Sequence, residues 1–241
     1  MLINGMCYNN SKIKTLLKGN ENLACYVRLM HKEDIAQVTE IDREAFPTLS
    51  PPVNYDRELK NRLAHYVVAC DEEEMVKEPE VRAILEKDPP GLASRIGRLF
   101  NYNRFSGHEL PKSGKQYITG FAGFWIMAGE AHITNLAVRR PHRRQGIGEL
   151  LLISVINLAA ELNARILTLE VRASNTTAQG LYSKYGFTRA GLRRNYYIDD
   201  KEDAVIMSTE NITSAPFQAR LQRLKQGHSR KWGIALYQIA R

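Results

Sequence analysis

A basic segment with two glycines is the clearest chemical signal in this sequence. It lies between an apolar run typical of a β-strand and a long apolar run typical of a helix, and it consists of Arg143, Arg144, Gln145, Gly146, Ile147 and Gly148. Unpaired N–H groups at the start of a helix point outwards, the helix dipole is positive there, and glycines let phosphate oxygens approach the backbone closely. The two arginines add positive charge, so the segment predicts a binding site for a pyrophosphate.

Two common phosphate-binding motifs do not match this segment or its surroundings. A P-loop would require a glycine at the position of Glu109, five residues before Gly114-Lys115. A dinucleotide fingerprint would require a third glycine where this chain has Leu151. The predicted site is therefore neither a P-loop nor a Rossmann dinucleotide site.

A glutamate and a tyrosine downstream of the loop are further candidates for chemistry. Residues 165–171 predict a strand, and the carboxylate of Glu170 near the end of such a strand requires a reason. Tyr182 follows in a predicted helix that Ser174 or Asn175 can cap and that Gly186 ends.

The remaining segments predict strands and helices that place these residues. We expect strands over 24–29, 65–70, 117–128, 132–138, 165–171, 187–191 and 203–209, and helices over 31–45, about 54 to 63, 149–163 and 175–185. The helix after the glycine loop carries leucines and a valine at helical spacing, so we expect it to be buried against a sheet. Residues 71–116 lack strong periodicity and predict an insertion of helical pieces and loop.

Composition and cysteine usage narrow the class of protein. Hydrophobic residues make up 44% and charged residues 25% of the 241 residues, which are ordinary values for a globular protein. No apolar run reaches the length of about 18 residues that a spanning helix needs, and the N-terminus lacks the apolar core of a secretory signal. We therefore expect a cytoplasmic protein without membrane contact. Three widely separated cysteines, with no CxxC and no nearby His pair, predict free thiols and no metal site.

Positive charge is concentrated near the C-terminus. The formal net charge is +8, and residues 211–241 contain no acidic residue beside the basic residues Arg220, Arg223, Lys225, Arg230, Lys231 and Arg241. We expect this basic tail to be a solvated or disordered appendage. The alternative is an element that docks on an anionic partner such as RNA.

Several ordered motifs together resemble the GNAT acetyltransferase superfamily, whose pyrophosphate loop has the pattern R/Q-x-x-G-x-G/A, matched here from Arg143 to Gly148. More narrowly, they resemble the RimI-type ribosomal-protein alanine N-acetyltransferases. The further motifs are His132-Ile-Thr-Asn-Leu-Ala-Val138, Leu169-Glu-Val-Arg-Ala-Ser-Asn175, Leu181-Tyr182, Gly186-Phe187 and Arg193-Arg-Asn-Tyr-Tyr197. The resemblance is close over residues 117–208 and weaker over residues 25–70.

The resemblance implies an α/β fold (an α+β mixed sheet), with a central splayed β-sheet flanked by helices. It implies a GNAT domain over residues 23–210. An N-terminal extension over residues 1–22, the insertion 71–116 within the domain and a basic C-terminal tail over residues 211–241 fall outside the resemblance.

Residue roles also follow from the resemblance. Glu170 corresponds to the general base, and Tyr182 corresponds to the proton donor to the sulfur of coenzyme A. Acetyl-CoA would be held, without a metal, by Leu136, Ala137, Val138, Arg143, Arg144, Gln145, Gly146, Ile147, Gly148, Glu149 and Asn175. Asn175 can equally be only a helix cap. Tyr196 and Tyr197, with the segment 46–55, correspond to the loops that hold the acceptor, although Thr48 stands where relatives often have a tryptophan.

Three functions are consistent with these features. The first is acetyl-CoA-dependent acetylation of a protein N-terminus, by resemblance the N-terminal alanine of a small-subunit ribosomal protein. The second keeps the reaction and changes the acceptor to another protein N-terminus, a lysine or a polyamine. The third is a non-catalytic module that binds RNA or the ribosome through the basic tail.

Overall fold

One mixed sheet of seven strands forms the framework of the residues that the computed structural model describes, which are 25–48, 51–75 and 116–233. The strands are β1 (Cys25–Leu29), β2 (Ala64–Met75), β3 (Gln116–Met127), β4 (Glu130–Val138), β5 (Ile166–Arg172), β6 (Phe187–Arg193) and β7 (Ala204–Thr209). Their order across the sheet is β1-β2-β3-β4-β5-β7-β6. Neighbouring strands are antiparallel except β4 and β5, which are parallel. This sheet confirms the predicted fold class.

Helices cover both faces of the sheet. They are α1 (Ile35–Ala45), α2 (Tyr55–Glu58), α3 (Ile147–Glu161), α4 (Thr176–Lys184) and α5 (Ala215–Trp232). Side chains of α3, α4 and α5 share one core cluster, whereas α1 and α2 pack with Tyr66 and Val68 of β2 in a second cluster. Because alternate residues of a strand point to opposite faces, Val67 and Ala69 of the same strand belong to the first cluster.

Strands β4 and β5 separate after a short stretch of pairing. Their register begins at Glu130 and Ile166 and ends at Ile133 and Leu169. A β-bulge at Thr134 follows, since Ile133 and Asn135 pair with consecutive residues of β3. A bulge bends its strand and shifts the alternation of side chains by one residue. The two strands therefore diverge and leave a gap, which agrees with the splayed sheet that the resemblance implies.

Some predicted boundaries differ from the structure. Strand β2 continues to Met75 because it pairs with β1 and β3, with Cys25 opposite Asp71 and Met75 opposite Gln116. Residues 71–75 of the predicted insertion therefore continue strand β2. Pairing with β3 outweighs the low β-propensity of the acidic residues there. Residues 76–115 of the insertion and the predicted extension over residues 1–22 lie outside the described residues.

The C-terminal segment contains a packed helix. Ser214 Oγ accepts a hydrogen bond from the N–H of Phe217 and caps α5. Phe217, Leu221 and His228 of this helix are buried, at 8%, 2% and 2% exposed. The expectation of a solvated or disordered appendage is therefore wrong for the residues of α5.

No helix in the described part of the chain is long and apolar enough to span a membrane. No group of three or more His, Cys, Asp or Glu side chains there could hold a metal ion.

Candidate active site

The glycine loop joins β4 to α3. Gly146 is the N-cap residue of α3, with a φ of 81° that favours glycine. Arg143 Nε donates a hydrogen bond of 3.0 Å to the carbonyl of Val138, which ties the loop to the end of β4. Both Arg143 and Arg144 are exposed. The first N–H groups of α3 have no partner within the helix, so the loop has the chemistry of an anion site.

The loop, the end of β4 and helix α4 meet at Gly148. A Cβ atom built on Gly148 would lie 3.7 Å from Val138, 3.8 Å from Leu136 and 4.0 Å from Leu181. These are ordinary van der Waals distances, so packing within the protein does not require a glycine at this position. The missing side chain leaves room for a ligand to approach the backbone of the first helical turn.

Other residues of the loop have structural contacts. Gln145 Nε2 donates a hydrogen bond of 3.2 Å to the carbonyl of Pro141. Ile147 is 2% exposed and belongs to the core. The side chains of Gln145 and Ile147 thus shape the loop.

The backbone of β4 presents polar groups to the gap. Arg139 N–H donates to Thr119 O at 2.8 Å, so Arg139 faces β3. Since backbone groups alternate between the two edges of a strand, Leu136 and Val138 point their N–H and C=O groups towards β5, where pairing has ended. Ala137 has its backbone turned to β3 and its side chain in the other core cluster. The structure therefore brings Leu136 and Val138 to the gap and does not bring Ala137 there.

Glu170 lies where β5 leaves β4. Its carboxylate oxygens are each 3.0 Å from a basic side chain, Oε2 from His132 Nε2 and Oε1 from Arg193 Nη2. The Glu170 side chain is 8% exposed, whereas the His132 side chain is 40% exposed. His132 Nδ1 lies 3.0 Å from Thr168 Oγ1, which fixes the orientation of the ring.

The partners of Glu170 are not evident from single motifs. His132 belongs to β4 and Arg193 to β6, and the fold brings both to the carboxylate. The parallel crossover from β4 through α3 to β5 is a signal for His132, because it sets the two strands side by side with His132 opposite Thr168.

Tyr182 lies on the opposite side of the sheet from Glu170. Its ring belongs to the core cluster of α3, α4 and α5 and lies 5.6 Å from the ring of Phe187. Leu169 and Val171 point into the same cluster, so Glu170 between them points to the face of α1 and α2. Burial, and the nearby phenol of Tyr197, raise the pKa of Tyr182 to about 12. The phenol therefore holds its proton at neutral pH.

Asn175 and Glu149 have contacts within the protein. Asn175 Oδ1 accepts a hydrogen bond of 3.1 Å from Ala178 N–H, so Asn175 caps α4. Glu149 accepts hydrogen bonds from Lys184 and from Tyr185, the latter at 2.6 Å. Burial alone would raise the pKa of Glu149, but these hydrogen bonds outweigh it and the pKa is lowered.

The loop between β6 and β7 is held by one arginine. Arg172 forms ion pairs with Asp199, Asp200 and Glu202 at 2.7 to 2.8 Å, and its guanidinium lies 4.0 Å from the ring centroid of Tyr197. Next to Tyr197 the loop exposes apolar surface, with Tyr196 at 42% and Ile198 at 79% exposed. The loop thus combines a fixed side chain, Tyr197, with exposed apolar surface beside it.

Comparison with known proteins identifies the family. A family model described as acetyltransferase (GNAT) family matches residues 80–187. A Bacillus subtilis protein, named provisionally as a ribosomal protein bS18-alanine N-acetyltransferase, is 36% identical over 182 residues, which cover 75% of this chain and 92% of that protein. The chain belongs to the GNAT family of acetyltransferases. As a member of this family it is an N-acetyltransferase.

Two further comparisons agree with this assignment. The ribosomal protein bS18-alanine N-acetyltransferase of Escherichia coli K12 is 40% identical over 107 residues, which cover 44% of this chain and 71% of that protein. The crystal structure of the ribosomal-protein-S18-alanine N-acetyltransferase from Escherichia coli matches 79% of this GNAT chain and 96% of its own, with a TM-score of 0.52 and 22% identity. The structural match supports the shared fold. Neither relative gives support to the RNA-binding interpretation of the C-terminal segment.

Proposed function

We propose that this GNAT enzyme transfers the acetyl group of acetyl-CoA to the α-amine of an N-terminal alanine, and that its acceptor is ribosomal protein bS18. The observation that carries the proposal is the 36% identity with a relative of that name over 92% of the relative's length. The position of Glu170 beside the gap between β4 and β5, with Tyr182 on the opposite face of the sheet, supports the same reaction. An acceptor on the ribosome also accords with a cytoplasmic location.

The residues around the gap fit a CoA thioester. The first turn of α3, with Arg143 and Arg144 beside it, would bind the diphosphate. Because Gly148 has no side chain, the diphosphate has room to approach the backbone of this turn. The backbone groups of Leu136 and Val138 would bind the amide-containing arm of the coenzyme and the carbonyl of the thioester. Acetyl-CoA, when bound, supplies an acyl carbon that an amine can attack.

Glu170 would accept the proton of the attacking amine. A carboxylate is a base strong enough for an α-amine of pKa about 8, whereas the side chain of lysine, with a pKa of about 10.4, is a poorer acceptor at neutral pH. His132 lies 3.0 Å from the carboxylate and is partly exposed, so it offers a route by which the proton leaves for solvent. Arg193 holds the other carboxylate oxygen and fixes the orientation of Glu170.

Tyr182 would protonate the departing thiolate. Its pKa of about 12 means that the phenol is fully protonated when the thiolate forms. A free thiol, with a pKa of about 8.5, is a stronger acid than this phenol. Tyr182 would therefore donate its hydrogen to the sulfur while the C–S bond breaks, and the proton that the thiol finally carries is supplied from solvent, so that the phenol is protonated again at the end of the cycle.

The proposal is tested by identifying the amine that receives the acetyl group. The enzyme is incubated with labelled acetyl-CoA and two matched peptides, one with the N-terminal sequence of bS18 and a free α-amine, and one with the α-amine blocked and a lysine added. We expect label on the free N-terminal alanine, with an initial rate at least about tenfold higher than on the lysine peptide. Label found only on lysine would refute the assignment of the acceptor.

A second candidate keeps the reaction and changes the acceptor. Thr48 and the pair Pro51-Pro52 depart from the family pattern in the segment expected to hold the acceptor, so the alternative acceptors are another protein N-terminus, a lysine or a polyamine. Initial rates on peptides that differ only in their first residue, with spermidine as an additional acceptor, separate these cases.

A further inference from the structure

The last described helix contacts the glycine loop. His228 Nε2 lies 3.0 Å from the carbonyl oxygen of Gly146, and His228 is 2% exposed. The indole of Trp232 lies against the same glycine, because a Cβ atom built on Gly146 would be only 2.7 Å from Trp232 Cδ1 and Nε1. Two side chains one helical turn apart in α5 thus enclose the residue that starts α3.

Helix α5 is anchored independently at its other end. Phe217 and Leu221 are buried in the core of α3 and α4. Arg220 Nη2 donates hydrogen bonds of 3.1 Å and 2.8 Å to the carbonyls of Ser183 and Lys184 at the end of α4. Helix α5 therefore contacts both the end of α4 and the start of α3.

The contacts act on the part of the loop where backbone conformation matters most. Gly146 has a φ of 81°, and its carbonyl also accepts the first helical hydrogen bond of α3, from Leu150 N–H at 2.9 Å. A hydrogen bond from His228 to that carbonyl and an indole against its Cα restrict the peptide groups on both sides of Gly146. The orientation of those groups determines where the free N–H groups of the first turn point.

A positively charged side chain lies next to the indole that covers Gly146. Lys231 Nζ lies 4.7 Å from the centroid of the Trp232 ring. An ammonium group beside the ring that covers Gly146 adds to the positive potential of the helix start, which favours a phosphate ligand.

We propose that α5 is part of the coenzyme site, with His228 and Trp232 as positioning residues that hold the Gly146 turn in the conformation that binds the diphosphate of a CoA thioester. This inference rests on the proposed function, because it names residues that support the same site. It assigns to the basic C-terminal segment a role in binding the coenzyme.

Calorimetry with acetyl-CoA tests the inference on the full chain. We expect Trp232→Ala and His228→Gln each to weaken binding by about tenfold and to raise KM for acetyl-CoA while kcat stays within about twofold. Lys225→Ala is the matched control, because Lys225 lies on the same helix and donates to Asn157 of α3, away from Gly146. Its affinity should equal that of the wild type.

The outcomes separate the two proposals. Wild-type affinity in both Trp232→Ala and His228→Gln, even with a lower melting temperature, would overturn the role of α5 and leave the acetyltransferase assignment intact. A folded wild-type enzyme without affinity for acetyl-CoA would refute the proposed function itself.

Fluorescence gives a readout that does not depend on turnover. The sequence contains two tryptophans, Trp125 and Trp232, so Trp125→Phe leaves Trp232 as the single indole. We expect saturating acetyl-CoA to change the emission of Trp232 in this variant. Unchanged emission under conditions where calorimetry shows binding would contradict the proposal that Trp232 supports the Gly146 turn when the coenzyme binds there.

Discussion

Substitution Tyr182→Phe is the sharpest test of proton donation to the sulfur. The residue is 8% exposed, and its hydroxyl forms no hydrogen bond with the residues that the structure describes. Phenylalanine retains the ring that packs against Phe187. Removal of the hydroxyl should therefore leave the fold unchanged and delete only the proton.

A proton donor in the transition state contributes about 10² to 10⁴ in rate. We expect kcat of Tyr182→Phe to fall by about 10²-fold or more, which corresponds to a barrier higher by ~2.7 kcal/mol. Because burial raises the pKa of Tyr182 to about 12, the wild-type rate should show no alkaline loss from this group below about pH 10.

The assay follows release of free thiol from acetyl-CoA with a peptide that begins with alanine. Tyr26→Phe is the control, because Tyr26 lies on the edge strand β1. Calorimetry and thermal unfolding check that coenzyme affinity and stability are retained. A kcat within about threefold of the wild type would refute the assigned role of the phenol.

Three other substitutions test the remaining groups. Glu170→Gln should lower kcat/KM by about 10²-fold at pH 6.5 and by less at pH 9, where more of the acceptor amine is neutral, with coenzyme affinity retained; a loss that is equal at all pH values would contradict a role as base. His228→Gln should lessen the loss of stability that occurs below pH 6.5. Burial lowers the pKa of His228, so below that pH the unfolded chain binds a proton that the folded chain excludes. Urea unfolding of the variant and the wild type at pH 5 and pH 7.5 measures the difference. Asp42→Asn should gain stability relative to the wild type as pH rises from 5 to 8. Burial raises the pKa of Asp42, so the folded state loses its proton less readily than the unfolded state. Equal pH slopes for the variant and the wild type in either unfolding series would contradict the corresponding prediction.

Strong periodicity made most of the framework predictable. The apolar helix after the glycine loop and the strand that carries Glu170 were predicted within two residues of their observed bounds, because burial on a sheet leaves a clear pattern in the sequence. Helix α5 has the same spacing in Phe217, Leu221, Leu224 and His228. Its many basic residues obscured that pattern and led to the expectation of a solvated tail.

The gap could be predicted only in outline. A simple period of two along β4 would place Ile133 and Ala137 on one face, but they belong to different core clusters. The bulge at Thr134 shifts the alternation, and bulges depend on pairing with a neighbouring strand. The resemblance suggested Ala137 as a coenzyme contact. The observed register instead turns the backbone of Ala137 towards β3 and away from the gap.

The partners of Glu170 also depend on tertiary structure. His132 and Arg193 come from two other strands, and each lies 3.0 Å from the carboxylate. The order and direction of the strands place them there, and no local motif encodes that order.

The contact between α5 and the start of α3 has a consequence for the timing of synthesis. His228 and Gly146 are 82 positions apart, and such a long-range contact forms only after the later residue has left the ribosome. A nascent chain in which all seven described strands have been synthesised still lacks His228 and Trp232, the α5 side chains that contact Gly146. If α5 supports the coenzyme site as proposed, we expect assembly of the framework to precede full coenzyme affinity during translation.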